Sequence, residues 1–168
     1  RITIELGFLA LVILFRAELL RLLEKMGNSK VSHWLRNAGE VDGTESAITQ
    51  VVLACADMSA SKTGALIVFE RDNHLFDPLT TGTVINADVT AELLKNLFFN
   101  KAPLHDGAVI IRDGRIIAPG CMLPMSGNTN LSKDLGMRHR AGIGVSETSD
   151  AVAVICSEET GAISVAVD

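Results

Sequence analysis

Four residues, His105, Asp106, Gly107 and Ala108, place a histidine and a carboxylate directly before an apolar run. Because Pro103 precedes them, they fall where a loop leads into a predicted strand. A carboxylate in that position could bind a hard metal ion or activate a hydroxyl group, and a glycine beside it would let backbone approach a ligand. The alternative is an Asx-type turn at the strand entrance, which these residues alone do not exclude.

A second polar group, Arg138-His139-Arg140, follows Gly136 further along the chain. Arginines at positions i and i+2 do not share a helix face, so a ladder of surface ion pairs fits poorly. At the start of a helix they could instead bind different phosphate groups beside the free N–H groups of the first turn. Guanidinium groups suit bidentate phosphate contacts and stay charged. Surface basic triplets are common, however, and the triplet alone does not establish a site.

A third polar stretch, residues 157–161 (SEETG), lies between two apolar runs. Two carboxylates in such a turn are usually the tip of a hairpin. Glu158 or Glu159 could instead complete a metal site with Asp106 or orient an attacking hydroxyl group. The stretch by itself does not decide between these roles.

Predicted helices and strands alternate around these three motifs. Helical spacing of apolar residues predicts a helix around 47–58, capped by Asp42 or Thr44, and another over 86–100, capped by Asn86 or Asp88. Ser132 is the expected cap of the helix that carries the arginines. Apolar runs predict buried strands at 64–70, 151–156 and 162–167, and the Asp-Gly dipeptide at 113–114 predicts a type I′ hairpin turn. Residues 71–78 are expected to form a turn or loop. The alternation of these helices and strands predicts an α/β domain with a mixed sheet and flanking helices.

Composition limits the possible partners. The chain has 168 residues, of which 48% are hydrophobic, enough for one domain with a sizeable core. The net charge of −5 argues against a broad nucleic-acid surface, and one Trp with no Tyr leaves few platforms for base stacking, so we expect no nucleic-acid partner. The cysteines lack CxxC spacing and are expected to be small buried apolar residues rather than metal ligands or disulfides. They are Cys55, Cys121 and Cys156.

The first residues, 2–15, are apolar apart from Thr3 and Glu5. This run is too short to cross a bilayer, which takes about 20 residues, and the charged helical pattern after it is not that of a signal peptide. We interpret residues 1–27 as the end of a transmembrane helix and a juxtamembrane helix, 28–43 as a linker and 44–168 as the domain proper. The chain begins with Arg, and we expect it to be a fragment of a longer protein. The alternative is a buried N-terminal core helix.

The order of the three motifs resembles that of the diadenylate cyclase (DAC) family, which condenses two ATP molecules into cyclic di-AMP and two pyrophosphates. Residues 106–108 match the family's DGA motif, residues 138–140 match its RHR motif, and residues 64–71 (GALIVFER) resemble its first strand. The N-terminal ILFRAELLRLLEKMG resembles the membrane-anchored CdaA/DacA type. The resemblance covers nearly the whole chain. It implies a mixed parallel/antiparallel twisted sheet surrounded by helices, on a bacterial membrane protein whose catalytic domain is cytoplasmic.

The resemblance also implies roles for individual residues. Catalysis is assigned to Asp106, Gly107, Ala108, Arg138, His139 and Arg140. Substrate binding is assigned to Gly107, Ala108, Met122, Leu123, Met137, Arg138, His139, Arg140, Ser157 and Glu158. A metal ion (Mn²⁺, Mg²⁺ or Co²⁺) is assigned to Asp106, His105 and Glu159. In this scheme Asp106 helps to activate the 3′-hydroxyl, the RHR triplet holds phosphates, and Leu123 lines the adenine pocket.

The implied partners are ATP, a second copy of the domain in a face-to-face homodimer, and the membrane. Relatives are regulated by a YbbR-domain protein and by phosphoglucosamine mutase. Two positions depart from the family pattern: Met137 stands where many relatives have Thr, and Met122 where they often have Tyr. Both changes are expected to affect nucleotide affinity rather than remove a reacting group.

Two other functions remain open. A nucleotide-binding regulatory module without turnover would need the phosphate contacts but no activated hydroxyl, so intact DGA, RHR and SEETG motifs weigh against it. A phosphodiesterase-like metallohydrolase ranks last, because one aspartate and one nearby histidine are too few ligands for a two-metal centre.

Overall fold

The computed structural model describes residues 41–129, 131–132 and 135–168. The predicted membrane-proximal helices and most of the predicted linker lie outside these residues. Within the described residues, no helix is both long and apolar enough to cross a membrane. Residues 42–168 form one compact unit.

The domain is built on a six-stranded sheet with the strand order β2-β4-β3-β1-β5-β6. Strands β1 and β3 are parallel and the other neighbouring strands are antiparallel, which confirms the predicted mixed sheet. The helices are α1 (Val41–Ala60), α2 (Phe76–Thr81), α3 (Ala91–Leu97) and α4 (Met137–Thr148). The strands are β1 (Ala65–Phe69), β2 (Ala87–Asp88), β3 (Ala108–Arg112), β4 (Arg115–Cys121), β5 (Val152–Cys156) and β6 (Ile163–Ala166).

Each face of the sheet carries its own apolar core. Side chains of α1 and α3, such as Met58 and Leu94, pack with Ile67 on one face. On the other face Val145 of α4 packs with Leu66 of β1. Successive strand residues point to opposite faces, so a continuous apolar run such as β1 supplies both cores. Helices therefore lie on both sides of the sheet, and the central strands are buried.

The two predicted hairpins are confirmed. β3 and β4 are joined by Asp113 and Gly114, whose φ angles of 51° and 72° lie in the left-handed region that a type I′ turn requires. β5 and β6 are joined by the SEETG stretch and pair antiparallel. The DGA motif lies at the start of β3, and the SEETG stretch is the turn of the second hairpin.

The second predicted helix is shorter than its sequence pattern suggested. Ala87 and Asp88 pair with β4 instead, so α3 begins only at Ala91. Its cap is Thr90, whose hydroxyl accepts a hydrogen bond from the Leu93 N–H at 3.2 Å. The prediction of Asn86 or Asp88 as the cap was wrong, because sheet pairing holds this segment extended.

Three further local predictions were wrong. Residues 71–78 were expected to be a loop, but α2 begins within them at Phe76. Asp42 and Thr44 lie inside α1 and do not cap it. Ser132 is not the cap residue of α4, because that position is taken by Gly136, which has no side chain to accept a hydrogen bond. The free N–H groups at the start of α4 are therefore not occupied by a side-chain cap.

Candidate active site

Asp106 lies two residues before β3, close to the strand start that the sequence predicted, and its side chain is exposed. Its Oδ1 atom accepts a hydrogen bond from the Gly107 N–H at 3.0 Å. Gly107 has a φ of 91°, and a Cβ there would lie 2.8 Å from the carbonyl oxygen of Cys121. Only glycine therefore fits this position, where the loop passes close to β4. This close approach of the two backbones fixes the position of the neighbouring residue Asp106.

The RHR triplet forms the first turn of α4, but its arginines point in different directions. Arg138 and His139 line a cleft with Asp106. The Arg140 side chain turns back and donates hydrogen bonds to the carbonyl oxygens of Leu135 (3.3 Å) and Ser132 (3.4 Å). As i and i+2 spacing requires, the two arginines do not share a face. Arg140 therefore holds the preceding loop, and Arg138 is the arginine at the cleft.

Arg138 connects all three motifs. Its Nη1 atom donates to Oε2 of Glu158 at 2.6 Å, and its Nη2 atom donates to the backbone carbonyl of His105 at 3.4 Å. Its Nε atom is buried and has no hydrogen-bond partner among the described residues. A buried donor without a partner is unusual and costly. One guanidinium group thus joins the loop before β3, the start of α4 and the β5–β6 turn.

The SEETG turn presents its carboxylates at the same cleft. The Gly161 N–H donates to the Ser157 carbonyl oxygen at 2.9 Å, and the Ser157 N–H donates to the Ala162 carbonyl oxygen at 2.9 Å. The Ser157 hydroxyl accepts from the N–H groups of Glu159 (3.3 Å) and Thr160 (3.2 Å). With the backbone so held, Glu158 and Glu159 remain exposed at the cleft wall.

The cleft has a volume of about 280 Å³. Its lining residues are Asp106, Gly136, Met137, Arg138, His139, Cys156, Ser157, Glu158 and Glu159. Most of these were predicted as site residues from the three motifs. Strand pairing and the helix start bring them together, although they are far apart in the sequence.

Some predicted residues lie outside this lining. Ala108 is buried in the core below the cleft. Leu123 packs against the core on the α4 face. Met122 is 56% exposed and borders a neighbouring cavity of about 670 Å³ together with Phe76. His105 lies behind Arg138 and reaches it through its carbonyl oxygen.

Three residues at the site were not predicted. Gly136 and Cys156 line the cleft, and Gly64 lies against the ion pair. A Cβ on Gly64 would lie 2.5 Å from Nη1 of Arg138 and 2.7 Å from Oε2 of Glu158. The only sequence signal for Gly64 was its position before the first strand. No signal distinguished Cys156 from an ordinary core cysteine.

The donor atoms near Asp106 are of the types that a divalent cation binds. Nδ1 of His105 lies 2.6 Å from the carbonyl oxygen of Ala102, and donation to that oxygen would leave Nε2 as the ligand atom. Asp106 and Glu159 supply carboxylates at the cleft. Among the described residues, however, no group of three or more His, Cys, Asp or Glu side chains lies close enough to hold a metal ion together. A cation held here would need further ligands from a bound substrate.

The three cysteines are free and buried, as expected for small core residues. Burial raises the pKa of the Cys121 thiol to about 11. A hydrogen bond with Cys156, together with burial, raises the pKa of Cys55, and the same bond lowers the pKa of Cys156. Cys55 on α1 and Cys156 at the end of β5 are therefore neighbours across the core.

Residues 52–168 match a family model described as DAC, DisA bacterial checkpoint controller nucleotide-binding. The chain is 43% identical over 161 residues to the cyclic di-AMP synthase CdaA of Bacillus subtilis, covering 95% of this chain and 58% of that protein. It is 39% identical to a diadenylate cyclase of Listeria monocytogenes, covering 94% of this chain and 58% of the relative. The chain thus spans less than two thirds of the length of these relatives.

Two solved structures agree with the fold. A double mutant of DacA from Staphylococcus aureus superposes with a TM-score of 0.72 at 47% identity, covering 74% of this chain and 83% of that one. A hypothetical membrane spanning protein from Bacillus cereus gives a TM-score of 0.70 at 33% identity, covering 95% of this chain and 86% of that one. The chain therefore belongs to the DAC family of DisA-type nucleotide-binding domains and is of the CdaA/DacA type.

Proposed function

We propose that this protein is a diadenylate cyclase that joins two ATP molecules into cyclic di-AMP and releases two pyrophosphates. The observation that carries the proposal is the position of Arg138, which brings the DGA, RHR and SEETG motifs to one cleft. Relatives named cyclic di-AMP synthase and diadenylate cyclase support it. Metal dependence and a face-to-face dimer are part of the proposal.

The cleft suits the phosphate groups of a nucleotide. Arg138 supplies a permanent positive charge, and the start of α4 supplies N–H groups whose cap residue, Gly136, has no side chain to occupy them. On ATP binding, Arg138 would exchange its bond with Glu158 for phosphate oxygens, since guanidinium groups bind phosphates well. The same charge would stabilise the pyrophosphate as it leaves. His139 lies beside Arg138 in the first turn and would add a further phosphate contact.

Asp106 is positioned to assist the attacking group. In each half-reaction the 3′-oxygen of one ATP forms a bond to the α-phosphorus of the other, and the bond from that phosphorus to the β-phosphate oxygen breaks. The hydroxyl proton must leave, and the exposed Asp106 carboxylate in the cleft would accept it. His105, Asp106 and Glu159 would hold a divalent cation, which would neutralise phosphate charge and favour ionisation of the hydroxyl group. Correct positioning supplies most of the remaining rate.

Two domains must face each other, because each domain offers one such cleft and the product needs two nucleotides. We propose that membrane attachment by the N-terminal segment brings the domains together, on the cytoplasmic side. A YbbR-domain protein and phosphoglucosamine mutase are candidate regulators by analogy with relatives. Met122 and Met137, both exposed, would replace ring stacking and a hydroxyl contact with softer apolar packing.

The test is incubation of the purified protein with ATP and Mn²⁺, Mg²⁺ or no metal, followed by chromatography of the products. We expect cyclic di-AMP only with metal, and its loss in Asp106→Asn while the fold is unchanged by circular dichroism. The matched control is Asp72→Asn, an exposed aspartate outside the cleft, which should retain activity. Full activity of Asp106→Asn would contradict the proposal.

A second candidate is a nucleotide-binding module without turnover. It is favoured by the pairing of Arg138 with Glu158 and by the lack, among the described residues, of a preassembled group of metal ligands. Pyrophosphate release separates the two functions. A sensor would bind ATP and release none, even when two domains are held together by an engineered dimerisation tag.

A further inference from the structure

The end of α1 lies against the SEETG turn (residues 157–161). The Ser59 hydroxyl donates a hydrogen bond to the Gly161 carbonyl oxygen at 2.6 Å, joining residues that are 102 positions apart. Gly161 closes the SEETG turn, whose glutamates line the cleft. This bond therefore connects a helix outside the three motifs to the segment that carries Glu158 and Glu159.

The backbones also fit closely at this contact. Gly161 has a φ of 78°, and a Cβ at that position would lie 2.6 Å from the carbonyl oxygen of Ser59. A side chain there would force the turn away from α1. One helical turn earlier, Cys55 neighbours Cys156, the residue before the SEETG turn. Contacts with α1 thus lie at both ends of the turn.

The turn's internal bonds fix its shape but not its position. The bonds made by Ser157 all stay within the β5–β6 hairpin. The contacts that join the turn to other elements include the Ser59 bond and the Arg138–Glu158 pair. The ion pair must open when Arg138 binds phosphate, according to the proposed function. The Ser59 hydroxyl and the Gly161 carbonyl do not line the cleft, so a bound substrate would not compete for this bond.

We propose that Ser59 is a positioning residue, which holds the turn that carries Glu159, a proposed metal ligand, in place at the cleft through the Gly161 carbonyl. The inference rests on the proposed function, because its consequence is catalytic. Displacement of reacting groups by about 1 Å is sufficient to cost a large factor in rate.

Three variants of the intact protein test the role. Ser59→Ala removes the donor, Ser59→Thr retains it, and Ser61→Ala removes a nearby hydroxyl that bonds only within residues 57–63. For each we would measure kcat and KM for ATP, amide hydrogen exchange over residues 157–162, and the free energy of unfolding. Hydrogen exchange reports the turn directly and does not depend on activity.

We expect Ser59→Ala to lower kcat about tenfold with little change in KM, and to speed exchange in the turn. Ser59→Thr should restore at least half of the activity, and Ser61→Ala should match the parent protein. Equal behaviour of Ser59→Ala and Ser61→Ala, or a fall in kcat without faster exchange in the turn, would overturn the role of Ser59. If the parent protein forms no cyclic di-AMP, the proposed function fails instead, and the exchange data still decide whether Ser59 holds the turn.

Discussion

Two arginine–glutamate ion pairs lie at different places on the same sheet. Arg112 at the end of β3 binds Glu70 with two guanidinium nitrogens, and the Leu75 N–H donates to the same carboxylate at 2.8 Å. Arg138 at the start of α4 binds Glu158 through Nη1. The Glu70 side chain is 0% exposed, whereas that of Glu158 is 65% exposed.

The difference in burial separates a structural pair from an exchangeable one. A buried carboxylate such as Glu70 has no access to water, so loss of its arginine would leave an uncompensated charge. Arg112 also lies 5.9 Å from the centre of the Phe76 ring, which adds a further favourable contact. Glu158 can return to water when Arg138 leaves it, at little cost. The same two residue types therefore support the fold in one place and leave an arginine available to a ligand in the other.

The largest expected effect is on activity. Arg138→Met should lower kcat/KM about 100- to 1000-fold, because it removes the positive charge nearest the phosphates. The free energy of unfolding should change by about 1 kcal/mol or less, because its partner is exposed. Steady-state formation of cyclic di-AMP and urea unfolding would be measured side by side. The control is Arg115→Met, which breaks an exposed pair with Asp88 away from the cleft and should retain activity. The distinction between the two pairs would be lost if Arg138→Met lowered the free energy of unfolding by as much as it raised the activation free energy calculated from kcat/KM.

The opposite pattern is expected for the buried pair. Arg112→Met should lower the free energy of unfolding by about 3 kcal/mol, measured by urea denaturation, because Glu70 loses its counter-charge. Replacing Glu70 by Met as well should recover part of the loss, because no unpaired charge then remains buried. A single-variant loss below about 1 kcal/mol would mean that burial does not set the strength of this pair.

Gly64 offers a way to disturb the exchangeable pair without changing either charge. Gly64→Ala would place a methyl group 2.5 Å from Nη1 of Arg138, so the arginine must move. We expect activity to fall about tenfold. Gly127→Ala is the control, because a Cβ there meets nothing within 4 Å. Equal activity in the two variants would show that Arg138 tolerates displacement.

The smallest effect is expected when the exposed carboxylate is neutralised. Glu158→Gln should change the free energy of unfolding by less than about 0.5 kcal/mol. It should also tighten metal-free ATP binding about two- to fivefold, because Arg138 no longer has to leave an ionised partner. Calorimetric titration would measure the affinity. Weaker binding in this variant would show that Glu158 contributes to the nucleotide site rather than competing for the arginine.

Local patterns predicted the elements whose geometry is itself local. The Asp113–Gly114 turn follows from two residues that tolerate positive φ between apolar runs. The predicted start of the helix over 86–100 was wrong, because Ala87 and Asp88 pair with β4, which comes later in the chain. A helical pattern does not reveal such a distant partner. For the same reason the sequence did not predict that Thr90 caps α3.

The sequence by itself determined the chemistry available to the protein: a carboxylate before a predicted strand, arginines at i and i+2, and a turn with two glutamates. Resemblance to the DAC family added the roles expected of them. Only the tertiary structure decided that Arg138 faces the cleft while Arg140 binds the preceding loop, and that Gly64 and Ser59 adjoin the site. Spacing along a helix tells which side chains diverge, but the direction of each depends on partners such as Glu158, which strand pairing brings from elsewhere in the chain.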